Sequence, residues 1–285
     1  MLINTYIKPT TTYYMEENSI FYADGNDPEM IKAFHKAQET FKYFWREQSW
    51  EYRRIIPGLT ISCVKVAFSE QAETGEIIVE HMWINDVSFD GDTVKGYLIN
   101  EPNDLRNIQV GDYVEIPLTN ISDWLFAIIP NVQKPKGLSK LFSSSSEPLP
   151  KAYGGFSIQQ MRSEMSVAER KDHDNAWQLD FGDFNDILVV NHQKEEPGNL
   201  IEHPMSKNMK EKFVEFLQQN PDDIKHIDED GLSLLHKETI AGNLTTVKVI
   251  LESGADKSIQ SKAGKTALDY AQQLNWEHII PVLEN

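Results

Sequence analysis

The residues of this chain best equipped for chemistry stand in one short segment, Glu80-His81-Met82-Trp83-Ile84-Asn85-Asp86. Strand alternation places Val79, His81, Trp83 and Asn85 on one face and Glu80, Met82, Ile84 and Asp86 on the other. Glu80 and His81 therefore form no acid–base dyad. His81 beside Trp83 can serve as a general base or ligand in a pocket, or as a hydrogen-bonded core histidine. Glu80, flanked by apolar residues, must find a cation or keep its proton to higher pH than usual. Asp172-His173-Asp174 with Asp180 and Asp183 collects oxygen and imidazole donors of the kind hard cations take, without the spacing of a recognised metal loop. A solvated loop is expected there, and no metal. Cys63 alternates with Ile61 and Lys65, has no adjacent His or Asp, and reads as an inert core thiol. As the single cysteine it can form no internal disulfide and no thiolate zinc cluster, which fits a reducing cytoplasm. No catalytic residue and no cofactor is assigned.

These residues need a scaffold, and five apolar runs bounded by turn residues supply it: LTISCVKVAF, GEIIVEHMWINDVSF, DTVKGYLIN, GDYVEIPL and DWLFAII. Gly91-Asp92 and Gly111-Asp112 read as turns. An amphipathic helix precedes them, with Asp27 as cap, Pro28 at its first position, and Met30, Phe34, Ala37, Phe41 and Phe44 or Trp45 on one side. Asp123-Trp124 reads as a turn with a core anchor, and Gly154-Gly155 as a close approach of backbone. Residues 131–153 carry Lys134, Lys136, Lys140 and Lys151 against Glu147 among serines and prolines, so a mobile basic loop is expected. Ser157 with Gln160 predicts a capping box opening a second helix that carries Ile158, Met161, Met165 and Ala168. DILVV at 186–190 predicts a last strand. The fold class is α+β: a small curled antiparallel sheet or partial barrel with flanking helices over residues 1–190. A polar linker follows at 191–205, with His203-Pro204 structural.

The rest of the chain repeats itself. An offset of 33 maps Gly231 onto Gly264, Ser233 onto Thr266, Leu235 onto Leu268, Val247 onto Ile280 and Ile250 onto Leu283. Ser233-Leu234-Leu235-His236 and Thr266-Ala267-Leu268-Asp269 stand where ankyrin repeats carry Thr-Pro-Leu-His, so residues 206–285 resemble an α-helical ankyrin array of about two and a half repeats. Hydroxyls cap the first helices, Gly242 closes one, and Val214 and Leu217 begin a degenerate leading repeat. The resemblance implies a partner surface at the tips and inner helices, with Asp230, His236, Lys237, Lys262, Lys265 and Asn275 as candidates.

The larger part is similar to a second family, the YegJ-like domain-of-unknown-function family numbered 2314. Glu80-His81-Met82-Trp83, Leu98-Ile99-Asn100-Glu101-Pro102, Gly111-Asp112, Ile121-Ser122-Asp123-Trp124, Gly154-Gly155-Phe156 and Trp177 to Asp183 carry that likeness, in order, across about residues 28–185. It implies a fold unit of bacterial type and no activity.

Composition bounds the function. With 285 residues, 40% hydrophobic and 25% charged, the chain can bury a core and is expected to be a soluble protein of two domains. A formal charge of −17 repels a phosphate backbone, so nucleic acid is not an expected partner and a basic protein is. No run reaches the ~18 apolar residues of a membrane span, and no basic, then apolar leader opens the chain. The leading reading is a cytoplasmic, non-enzymatic protein that binds a protein partner through its repeats, one version being an immunity or antitoxin-like binder of a basic effector. The alternative is an enzyme or small-ligand binder with a pocket at Glu80, His81, Trp83 and Trp124 and the basic loop as lid. A scaffold that oligomerises through its array is a third reading.

Overall fold

The computed structural model describes residues 27–128, 148–183 and 202–285. The expected strand at 186–190, most of the basic loop and residues 191–201 lie outside the described residues. Helix α1 (Pro28–Glu51) opens as its sequence requires: the Asp27 carboxylate accepts the Glu29 N–H, and Pro28 fixes the first turn. Six strands follow: β1 (Leu59–Gln71), β2 (Ile77–Phe89), β3 (Thr93–Leu98), β4 (Tyr113–Pro117), β5 (Ile121–Ile128) and β6 (Lys151–Gly154). They form one antiparallel sheet in the order β4-β3-β2-β1-β5-β6. The sheet is open, with β4 and β6 at its edges, so no barrel forms. Irregularities between Leu59 and Ile61, Lys65 and Val66, and Asn85 and Ser88 bend its strands.

The sixth strand corrects the expected loop. Lys151 starts β6, which pairs with β5 through Phe126 and Tyr153, and the chain at Asp180 covers its outer edge. Only four residues long and preceded by prolines, it is defined by what it docks against. The second helix is also corrected. It is two helices, α2 (Phe156–Ser163) and α3 (Val167–Trp177), and the capping box lies at Ser166 and Glu169. Ser157 sits inside the first turn of α2, where its hydroxyl donates to Asp123. Asp172, His173 and Asp174 are helical, not a loop.

Beyond residue 202 come α4 (Pro204–Asn208), α5 (Lys210–Gln219), a 3-10 turn (Pro221–Lys225), α6 (Leu234–Ile240), α7 (Leu244–Glu252), α8 (Ala267–Gln273) and α9 (Ile280–Glu284). The 33-residue offset is visible in the geometry. Ser233 and Thr266 both head capping boxes. Gly242 and Asn275 both hold left-handed backbone, at φ 75° and 52°. Asn275 is one of the few side-chain-bearing residues that tolerate it. Of the residues expected to be a linker, Glu202 and His203 are buried and Pro204 starts a helix. Among the described residues no helix is long and apolar enough to cross a membrane.

One hydrophobic cluster runs from α1 and the sheet (Phe41, Phe44, Val66, Ile84, Phe89, Trp124) into the repeated helices (Leu235, Ile240, Tyr270, Trp276). A smaller one, of Cys63, Trp83, Leu125, Ala152, Ile158 and Phe181, lies under α2 and α3.

Candidate functional site

Helix α1 carries Arg46, Glu47, Gln48 and Ser49 in unbroken order, and all four are buried. Polar residues on every side of a helix normally mean solvent, so a second body must cover the side turned away from the sheet. That body is the repeated helices. The Trp50 indole N–H donates to Asn243 Oδ1 at 2.9 Å, and Asn243 Nδ2 donates to Glu238 at 2.9 Å. Glu238, itself buried, also accepts from Thr246 and pairs with Arg53 at 2.6 Å. Glu47 and His203 meet at 3.1 Å, both buried. His203 Nδ1 accepts the Met205 N–H and so caps α4, which leaves Nε2 to carry the proton given to Glu47. Burial opposes ionisation of Glu47, but the His203 hydrogen bond and nearby cations hold its pKa below the ordinary value.

The turn between β2 and β3 makes the other half of this seam. The Gly91 carbonyl accepts from Gln273 at 2.8 Å, Asp92 takes Lys265, and Lys95 lies 3.2 Å from both Asp90 and Asp230. A Cβ on Gly91 would stand 2.3 Å from the Tyr270 ring. The turn fits only as glycine.

These contacts place the residues expected to meet a partner. Asp230 and Lys265 are engaged across the seam. His236 is buried, bonded to Ser233 and facing the Lys265 carbonyl. Lys237 pairs with Asp228 at 2.7 Å, and the Asn275 carbonyl accepts Lys42 at 2.9 Å. Lys262 donates its backbone N–H to the Asp230 carbonyl while its side chain is exposed. Sequence reasoning missed Trp50, Arg53, Glu47, Glu238 and Asn243. No local pattern marks them, since their partners across the seam lie more than 150 positions away.

Where the two halves meet, a cleft of about 280 Å³ remains. Its apolar wall is Trp45, Phe89, Leu232 and Ile240, and its charged rim includes Arg53, Lys95, Lys237, Asp228 and Asp230. A second groove, of about 290 Å³, lies between Lys207, Lys210 and Lys248. Glu80, His81, Trp83 and Trp124 line neither.

Those four residues are not brought together. The Glu80 carboxylate receives the backbone N–H groups of Asn103, Asp104 and Leu105 at 2.5–2.9 Å. Desolvation opposes ionisation only in part, and these donors lower the Glu80 pKa, against the expected rise. Glu70 takes the next N–H groups, of Arg106 and Asn107, so two carboxylates clamp one loop. Glu80→Gln should loosen residues 103–105 at a cost of about 1–2 kcal/mol, read as faster amide exchange confined to that loop. His81 Nδ1 lies 2.8 Å from the buried Ser122 hydroxyl, and the ring stacks on Phe34 at 4.9 Å. Burial and the charge of Lys65 lower its pKa to about 4, so it is neutral near pH 7. Trp83 packs against Trp177 and beneath Lys65. Trp124 is fully buried in the main core.

Asp123 and Trp124 lie within β5, not in a turn, and they meet the Gly154-Gly155 pair. Asp123 accepts from the N–H groups of Trp124, Phe156 and Ser157 and from the Ser157 hydroxyl. It is the cap of α2, supplied from a distant strand because Gly155 has no side chain to offer. A Cβ on Gly154 would come within 2.2 Å of the Trp124 carbonyl oxygen. Asp123→Ala strands four buried donors, and a loss of about 3 kcal/mol or more is expected by urea denaturation. Burial raises the Cys63 pKa, with the Asp123 charge adding to it. A thiol reagent should leave the native protein unlabelled and react after unfolding.

Around the Asp172 segment, Arg162 is buried and binds Asp174, Gln159 and the Gly182 carbonyl, while His173 packs against Trp177 and Phe181. Among the described residues no group of three or more His, Cys, Asp or Glu side chains is placed to hold a metal ion.

An open six-stranded antiparallel sheet with a helix capped from a strand is thus followed by helix pairs of 33-residue period. Residues 27–181 match the family described as "Uncharacterized protein conserved in bacteria (DUF2314)", and the chain belongs to that family. Along 95% of its length it is also 43% identical to a Neisseria meningitidis serogroup B protein named "Putative ankyrin repeat protein", of which it covers 98%.

Proposed function

We propose that this chain is a protein-binding protein in which the α+β unit and a short ankyrin array act as one rigid body. The observation that carries the reading is the repeated helix pair itself. Equivalent capping boxes and equivalent left-handed residues recur at the ankyrin period, and the relative's name is in keeping with it. A short array cannot bury its own faces, and here α1 and the β2–β3 turn supply the missing neighbour. The net charge of −17 favours a basic partner, and an immunity or antitoxin-like inhibitor of a basic effector is one form such a protein takes. The cytoplasm, where a lone buried thiol stays reduced, is the proposed compartment.

The test uses the intact chain as bait in lysate of the bacterium that carries it. Truncation at the linker would strip α1 of its cover and unfold the bait. One retained protein that rebinds the purified chain stoichiometrically is the expected result. Failure to retain any protein, with a thermal shift from a small metabolite instead, would overturn the reading in favour of a ligand-binding role.

A further inference from the structure

Lys265 and the Asn275 carbonyl are engaged inside the molecule, and one other surface stands out. The chain leaving α1 displays Ile55 and Ile56 to solvent at 100% and 81% exposure. This loop is held in shape. The Glu51 carboxylate accepts the N–H groups of Gly58 and Leu59 at 2.8 and 3.3 Å and pairs with Arg54 at 2.8 Å, while the Tyr52 hydroxyl donates to the Val87 carbonyl at 2.7 Å. Exposed aliphatic side chains on a fixed loop lose little entropy on docking, and they cost free energy in water until covered.

The same segment forms one lip of the seam cleft, through Tyr52 and Arg53. The apolar wall of that cleft includes the part-exposed Trp45 indole, edge-on to Phe89 at 5.8 Å. Its rim carries cations and carboxylates in equal number, Arg53, Lys95 and Lys237 with Asp90, Asp228 and Asp230. A ligand of single charge gains little there. A polypeptide, which offers carbonyls, amides and an apolar side chain together, matches all of it. The chain on either side of Asp228 also exposes Asp222, Asp223 and Glu229, with Lys225 and Ile227 among them.

We propose that the Ile55-Ile56 loop and the adjoining seam cleft are one docking surface for a basic protein, which covers the two isoleucines and places an apolar side chain in the cleft. This rests on the protein-binding reading above and assigns it a place.

Photoreactive benzoylphenylalanine at Ile56, at Ser88 in the cleft, and at Val167, a 76% exposed control on α3, would be introduced into the full chain and irradiated in the source lysate. The first two positions should capture the same protein, with an isoelectric point above neutrality, and Val167 should not. Binding of that purified protein should weaken more than about tenfold in Ile55→Ser/Ile56→Ser and be unchanged in Val167→Ser, with the thermal midpoint of both variants intact. An acidic protein, a second copy of this chain, a lipid adduct, or unchanged affinity of the double variant would overturn the proposal. Capture from Val167 alone would overturn the surface and leave the protein-binding reading standing. No capture from any position would overturn both.

Discussion

Replacing Glu47 by alanine should cost the whole chain about 3 kcal/mol, because the buried His203 Nε2–H loses its charged acceptor. Glu47 and His203 are both nearly inaccessible, and they join α1 to the first turn of α4. Without the carboxylate the His203 Nε2 proton has no acceptor in a dry seam where its ring is stacked on Trp50 at 5.6 Å. One Glu47 oxygen already lacks a hydrogen-bond partner, so the pair contributes more to how the halves fit than to net stability. An apolar replacement of similar volume, Glu47→Met, should therefore recover part of the loss. The pH dependence follows from the depressed Glu47 pKa. A carboxylate whose folded pKa lies below its unfolded value stabilises the protein above the unfolded value, near 4.3. That stabilisation is lost as pH falls through the lower, folded value. Urea midpoints measured from pH 7 down to pH 3 should show a steep acid loss in the native protein and a shallower one in Glu47→Met.

Gly91→Ala should destabilise by about 2–4 kcal/mol, combining a strained backbone with overpacking. Its φ of 106° is outside the range of L side chains, and the new methyl would lie 2.3 Å from the Tyr270 ring and 3.2 Å from Ile240. Gly75 supplies the control. It also sits in a hairpin turn with positive φ, at 87°, but has nothing within 4 Å of an added Cβ. Gly75→Ala should thus cost only the conformational part, about 1 kcal/mol. The difference between the two variants, read from urea midpoints, measures the packing of the turn on the repeats. Equal losses would mean that the turn does not bear on Tyr270.

The elements that local chemistry dictates were legible. Asp27-Pro28 announces α1, alternation announces β1 to β5, and the Gly231 to Gly264 offset announces the paired helices. What escaped depends on neighbours distant in sequence. Strand β6 is too short to show a period and exists because β5 and Asp180 hold it on both sides. Ser157 looks like a cap, yet Asp123, more than thirty positions earlier, performs that role. Asp230 and Lys265 have the charge and position of binding residues, and they do bind, to Lys95 and Asp92 of the same chain. Glu80 looked poised for chemistry because its backbone donors arrive from a loop some twenty residues away.

The sheet unit and the repeated helices should open as one cooperative body across the Trp50, Glu47 and Gly91 seam. Native-state hydrogen exchange in rising urea tests it most directly, by comparing the Leu125 amide in β5 with the Ala271 amide in α8. The structure predicts that both exchange through the same global opening, with equal free energies and equal urea slopes. Exchange of Ala271 through a separate opening of smaller slope, several kcal/mol below that of Leu125, would contradict it.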